Sequence, residues 1–199
     1  YKRSPKHVRA AFLAAEDADF FKHGGVDPMG ILRAFIKNVA YGRMAQGGST
    51  ITQQVIKSLV LGPEKSLNRK IREAILAYKL ENYLSKNEIL NLYLNNIYMG
   101  HGVYGVEAAS EVYFGKHVWN ITPAEAALLA GIVQAPSRYT PKKHPGNARM
   151  RQEYVIDQMV EKKVITEKTK QQMLKEKVDI REDDGVFADS YYKDHIFRY

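Results

Sequence analysis

Ser85-Lys86-Asn87-Glu88-Ile89-Leu90-Asn91-Leu92-Tyr93-Leu94 decides the fold class, because it sets a capping box directly ahead of an apolar run. The Ser85 hydroxyl accepts the backbone N–H three residues on, while the Glu88 carboxylate reaches back to the Ser85 N–H. Two donors that a helix start leaves orphaned are thereby satisfied together. The device recurs at Thr122-Pro123-Ala124-Glu125 before Ala126-Ala127-Leu128-Leu129. Further out, Ser4-Pro5 supplies a cap and a first-turn proline for a helix carrying Val8, Ala11, Phe12 and Ala15 up to Glu16. Asp27-Pro28 does the same for Ile31, Ala34 and Phe35, with Gly42 as a stop. Ser66 caps a long helix over 67–84, another helix spans 149–162, and Thr166 starts one more. β-Branched alternation of strand length is scarce, so the spacing predicts a mostly α fold with at most a short hairpin.

A chain of 199 residues is long enough for one core shared by one or two lobes. Its 45% hydrophobic and 26% charged residues, with 14 Gly and 7 Pro, exclude a disordered or fibrous chain. The absence of cysteine excludes a disulfide scaffold, a thiolate metal site and a cysteine nucleophile. The longest charge-free stretch, 89–106, holds three Asn and three Gly, which a spanning helix does not tolerate cheaply. Seven of the eight net positive charges fall within the first hundred residues, which points to an anionic partner. Tyr1 in place of Met reads as the start of an excised fragment. The expected organisation is one domain over 1–178 and a tail or linker over 179–199, acidic and then aromatic.

Polar residues interrupt the helical pattern in three places. Glu16-Asp17-Ala18-Asp19-Phe20-Phe21-Lys22-His23-Gly24-Gly25 ends an apolar helix in carboxylates, against the helix dipole. An acid buried there beside Phe12 and Phe20 has a raised pKa and makes a better general base; solvated acids with His23 as a helix cap are the other reading. Gly47-Gly48-Ser49-Thr50-Ile51-Thr52-Gln53-Gln54 offers hydroxyls and amides suited to a polyhydroxylated or phosphorylated ligand, although an ordinary polar cap also fits. It lacks the Walker spacing, and Ser49 lacks a nucleophile elbow. On the helix from Arg69, the stripe Leu76, Leu80, Tyr83 and Leu84 extends back to Arg69 and Glu73, which are four apart and able to pair. Glu16 and Glu73 are thus expected in a cleft with Lys57, Lys65, Lys70 and Arg72, a cation density that a plain glycosidase does not need. His7, His101, His117, His144 and His195 show no metal-ligand spacing and read as structural or solvated.

Five ordered patterns run through most of the chain: Glu16, Asp17, Phe20, His23 and Gly25; Gly47, Ser49, Thr50, Thr52, Gln53 and Gln54; Arg69, Lys70 and Glu73; Lys86, Ile89, Leu90, Tyr93, Leu94 and Asn95; Arg151 and Val155. Together they resemble the motifs of glycosyltransferase family 51, the peptidoglycan glycosyltransferase domain of class A penicillin-binding proteins and monofunctional transglycosylases. Gln134-Ala135-Pro136 departs from the family pattern without touching a catalytic group. The resemblance implies a two-lobed fold, a larger lysozyme-like lobe beside a smaller membrane-associated one. It implies polymerisation of lipid II into β-1,4 glycan at the outer, periplasmic or extracytoplasmic face of the bacterial cytoplasmic membrane. By that analogy Glu16 is the general base, Glu73 supports the donor site, and Lys57, Lys65 and Arg72 neutralise the departing diphosphate. Asp17, His23, Arg33, Ser49, Thr50, Gln53, Gln54, Arg69, Lys70 and Asn95 join the substrate-binding set.

The same analogy implies no organic cofactor, an assisting Mg or Mn ion, and a transpeptidase domain beyond the tail. Expected partners are lipid II, the growing strand, membrane lipid and a moenomycin-type inhibitor, with no nucleic acid. The stretch 26–44, where Met29, Ile31, Leu32, Phe35 and Ile36 alternate with Arg33, Lys37 and Arg43, suits a bilayer interface. Two rivals remain at this stage. A lysozyme-like muramidase or lytic transglycosylase needs no lipid-linked donor, and a basic binding module would show salt-sensitive binding to nucleic acid without chemistry.

Overall fold

The computed structural model describes residues 4–33, 48–61 and 66–181. Helix α1 (Lys6–Glu16) begins one residue later than expected, with Pro5 as its N-cap and no side-chain cap from Ser4. Pro5 stays extended at ψ 152°, and its carbonyl accepts the Arg9 N–H, so the proline precedes the helix rather than opening it. Residues 28–33 are helical (α2), and Asp27 Oδ1 caps them by accepting the Gly30 N–H at 2.8 Å. There follow α3 (Ile51–Leu59), α4 (Leu67–Tyr83), α5 (Lys86–Asn96), α6 (Val106–Phe114), a 3-10 turn (Val118–Asn120), α7 (Pro123–Ile132), α8 (Pro136–Tyr139), α9 (Pro145–Glu161) and α10 (Glu167–Lys175).

Both expected capping boxes form, and Ser66 and Thr166 cap α4 and α10. A third box, Thr50 with Gln53, starts α3. Helix α9 opens at Pro145 rather than at Arg149, because the proline sits in the first turn and the His144 carbonyl accepts the Ala148 N–H. Among the described residues the only β pairing is an isolated antiparallel bridge between Tyr98 and Tyr104, so the fold is mostly α.

The core is built round α7, a helix apolar on all sides but for the Lys116-paired Glu125 and buried in nine of its ten residues. Helices α1 and α9 flank it. Gly131 permits the close approach of α9, since a Cβ there would stand 3.1 Å from Arg151 Cγ. Helix α3 packs between α4 and α5, which sets the polar start of α3 beside the end of α1. Beyond α10, Val178 and Ile180 still pack on the core, and the Arg181 N–H donates to the Tyr113 carbonyl at 2.8 Å. Lys65, Gly47, the Gly42 stop, residues 34–44 of the interface stretch and residues 182–199 of the tail lie outside the described residues.

Candidate active site

Glu16 is the last residue of α1, and its Oε2 accepts the Gln54 side-chain N–H at 3.0 Å. Burial pushes its carboxyl pKa up; the Gln54 bond and then the Arg151 charge pull it back, and the neighbouring Asp17 charge adds to the rise. It faces a cavity of about 450 Å³ lined also by Ser49, Gln54, Lys57, Glu73, Arg138 and Arg151. Gln134 and Ala135, the departure from the family pattern, lie in the same wall. On its other side Glu16 borders a smaller recess with Asp17, Asp19, Asp27, Arg33 and Thr50.

The first two motifs are stapled to each other. Both Asp17 carboxylate oxygens stand 3.0 Å from His23 Nε2, and Oδ2 also accepts the Ile51 N–H at 3.0 Å. Thr50 Oγ1 donates to the Gly25 carbonyl at 2.6 Å, and Gln53 Oε1 accepts the Thr50 N–H at 3.0 Å. Gly25 has φ +89°, and a Cβ on it would lie 2.7 Å from the Ala77 carbonyl oxygen of α4. The family analogy places Asp17, His23, Thr50 and Gln53 on substrate; here each bonds the protein's own backbone or side chains, and His23 Nδ1 is left buried without a partner. Their residues hold the end of α1 against the start of α3, which leaves Glu16 and Gln54 facing the cavity.

The third motif behaves likewise. Glu73 is buried, with Arg69 Nη1 at 2.9 Å from Oε2 and the Lys70 ammonium on Oε1. Lys70 Nζ also donates to Ser49 Oγ at 2.7 Å, which ties α4 to the loop before α3. Lys57 lines the cavity, as expected. Arg72 does not join it: one residue before Glu73 is 100° round the helix, and Arg72 stands exposed, lining neither recess. Asn95 is exposed on α5 and donates to the Asn91 carbonyl at 2.8 Å. Arg33 bridges Asp19 at 2.8 Å and Asp27 at 3.1 Å.

Sequence reasoning missed the far wall. Arg151 is buried on α9 with its guanidinium carbon 4.2 Å from the Tyr154 ring centre and 5.9 Å from that of Tyr139, and its Nε has no partner. The Arg-x-x-x-Val pattern marked Arg151 without assigning it to the cleft. Tyr93, beneath Glu16 on α5, has a buried hydroxyl whose pKa is raised by burial and then by the Glu16 and Asp17 charges. Among the described residues no three carboxylates or imidazoles converge at this cleft to hold an assisting divalent ion. Glu16 stands alone toward the cavity, Glu73 is paired with two cations, Asp17 with His23 and the Ile51 N–H, and Asp19 and Asp27 with Arg33.

A sequence profile of the Transglycosylase family matches residues 1–160. The chain is 46% identical over 195 residues to penicillin-binding protein 1A of Aquifex aeolicus, covering 98% of this chain and 27% of that protein. It is 48% identical over 174 residues to penicillin-binding protein 1A of Neisseria lactamica, covering 87% of this chain and 22% of that protein. It therefore spans about a quarter of the length of these relatives. The crystal structure of penicillin-binding protein 1A from Haemophilus influenzae matches its fold with a TM-score of 0.52 at 22% identity, over 98% of this chain and 20% of that one.

Proposed function

The chain belongs to the Transglycosylase family, glycosyltransferase family 51, and from that premise we propose that it is a peptidoglycan glycosyltransferase that polymerises lipid II. The donor is the growing strand, carried at its reducing end on undecaprenyl diphosphate, and the acceptor is a new lipid II. Glu16 takes the proton of the acceptor 4-hydroxyl as that oxygen bonds to the donor anomeric carbon. The bond from that carbon to the diphosphate oxygen breaks, its electron pair leaves with undecaprenyl diphosphate, and the α linkage becomes β-1,4. The observation that carries this reading is Glu16 itself, a carboxyl with a raised pKa facing a cavity in which cations outnumber acids.

A diphosphate departs without a strong general acid when positive charge meets it, which accounts for Lys57 in the cavity wall. Lys65 takes the same role by the family pattern alone, and Arg72, outside the cavity, acts only at longer range. Glu73 is a positioning residue: it fixes Arg69 and Lys70, and Lys70 fixes Ser49 at the cavity edge. No step runs through a metal ion.

The reading includes a smaller membrane-associated lobe beside a lysozyme-like one, at the outer face of the cytoplasmic membrane. The exposed Met29, Ile31 and Leu32 of α2 support it. A moenomycin-type inhibitor is expected to compete for the same cavity. Labelled lipid II, incubated with the protein and sized, tests the whole. Wild type should yield a glycan ladder and Glu16→Gln none, with unchanged circular dichroism. Polymer from Glu16→Gln would sink the base assignment, and cleavage of preformed glycan without use of lipid II would favour a muramidase-like enzyme.

A further inference from the structure

Away from the cleft, α6 and the turn after it bring three metal-ligating side chains together. Glu107 and Glu111 are one helical turn apart, so both carboxylates rise from the same face of α6. Gly115 ends the helix in the left-handed region at φ 66°, and the chain turns back so that His117 meets that face. Its Nδ1 lies 2.7 Å from Glu107 Oε1 and 3.2 Å from Glu111 Oε1, and ligand atoms of all three residues lie within 4.8 Å of one another. The second Glu107 oxygen accepts the Val118 N–H at 3.0 Å, which holds that carboxylate in place. Lys116, the adjacent cation, pairs instead with Glu125 at 2.6 Å.

We propose that Glu107, Glu111 and His117 form a site for a divalent transition ion, with Zn²⁺ as the ion that suits one imidazole and two carboxylates plus water. Two carboxylates balance the charge of a dication, and the imidazole selects against Mg²⁺ and Ca²⁺, which prefer oxygen alone. Ligand atoms about 2.0–2.1 Å from a tetrahedral zinc stand roughly 3.3 Å apart. The 3.2 Å distance to Nδ1 is already close to that value, a small side-chain rotation opens the 2.7 Å one, and ligand atoms of all three residues already lie within 4.8 Å of one another. Bound there, the ion ties α6 to the 118–120 turn and relieves the repulsion of two like charges four residues apart. Glu-x-x-x-Glu followed by a His six residues on is not a His-pair spacing, and for that reason His117 reads in sequence as merely structural.

Isothermal titration calorimetry of the untagged, metal-free chain with ZnCl2, and in parallel with MgCl2, tests the site. The expected result is one Zn²⁺ per chain and no comparable Mg²⁺ binding. Zinc affinity should fall about 10-fold or more in both His117→Ala and Glu111→Gln. Zinc should raise the melting temperature of wild type and of neither variant. Because His117 is exposed and Glu111 only half-buried, both variants should melt close to wild type without metal; Glu111→Asp serves if Glu111→Gln does not fold. Wild type without stoichiometric zinc binding, or either variant binding zinc as wild type does, would overturn the site and leave a His–Glu ion-pair cluster.

Discussion

Helix α7 buries nine of its ten residues, whereas α4, seventeen residues long, buries only Glu73 and Ala77. Composition already separates them in part: one residue in ten is charged on α7, and six in seventeen on α4. On α4 the apolar residues fall into two stripes. Leu80 and, just past the helix end, Leu84 pack against the core, while Leu67, Ile71, Ile75 and Tyr78 form a second row on the opposite side and stand exposed. Glu73 lies at the centre of the buried face, where a charge costs stability unless it is paired. Both helices bury a carboxylate, Glu125 on α7 and Glu73 on α4; the difference is that α7 is otherwise given over to the core, while α4 keeps a wet apolar face and brings its charge to the cleft.

The comparison breaks first on α7. Leu129 is fully buried, and Leu129→Ala should cost about 2–5 kcal/mol in urea unfolding. A loss comparable to that of an exposed leucine would mean that α7 is not the centre of packing. Next comes a cleft residue with no structural task. Lys57 is exposed in the cavity wall, so Lys57→Gln should lower kcat on lipid II by about 10- to 1000-fold, roughly 1.4 to 4 kcal/mol of transition-state stabilisation, with an unchanged melting temperature. Lys57→Arg should restore part of the rate. If Lys57→Gln polymerises normally, the diphosphate is neutralised elsewhere.

Glu73 stands between these cases. Sequence reasoning favours a donor-orienting role with little effect on stability, but a carboxylate this deeply buried between Arg69 and Lys70 ties the two together. Glu73→Gln leaves two cations with a neutral partner, so stability should fall by about 1–3 kcal/mol and turnover should fall with it. A double-mutant cycle with Arg69, read by thermal unfolding and by lipid II turnover, checks this. Coupling in turnover alone would return Glu73 to a purely functional role.

The helix starts were legible because a capping box is local, its partners three residues apart, as at Ser85 and Thr122. The cleft was legible only in part. Glu16, Gln54, Lys57 and Glu73 do meet, but nothing local says that Asp17 turns inward to His23 and the Ile51 N–H, or that Thr50 turns to Gly25. Arg151 meets Glu16 only because α9 crosses α7 and α1, a contact set by tertiary packing. Periodicity also misplaced Tyr83 on the buried stripe of α4; it stands exposed at the last turn, since a period gives the spacing of a stripe but not which side the core takes.

Glu16, the proposed base, should itself show the conflict between function and stability. Burial raises the Glu16 pKa, so the folded protein holds that proton more tightly than the unfolded chain does. The stabilisation linked to this proton is complete below the ordinary carboxyl pKa and is lost as pH rises through the folded value. At about neutral pH the buried charge therefore costs stability. Glu16→Gln, which keeps an acceptor for Gln54, should melt higher than wild type near neutrality while making no polymer, and the gap should narrow in acid. A variant that melts no higher would show that Arg151 and Gln54 offset the burial in full. Arg151→Gln should shift the acid limb of the wild-type rate profile to higher pH, since the Arg151 charge favours the ionised base.

The smallest expected effect is on the outer face of α4, and it decides what that face is for. Ile71 and Ile75 are exposed, and serine has nearly the helix propensity of isoleucine, so Ile71→Ser and Ile75→Ser change little besides apolar surface. Each should alter stability by less than about 0.5 kcal/mol, measured by thermal unfolding. A larger loss would mean that another part of the chain covers the stripe, and α4 would then be a core helix like α7. With stability unchanged, vesicles containing phosphatidylglycerol read the other possibility. Weaker association of the double variant would extend the proposed membrane-facing surface from α2 to α4, because each exposed isoleucine removed withdraws apolar area that a bilayer interface would bury. Unchanged association would confine that surface to the region of α2 and leave the α4 stripe facing water.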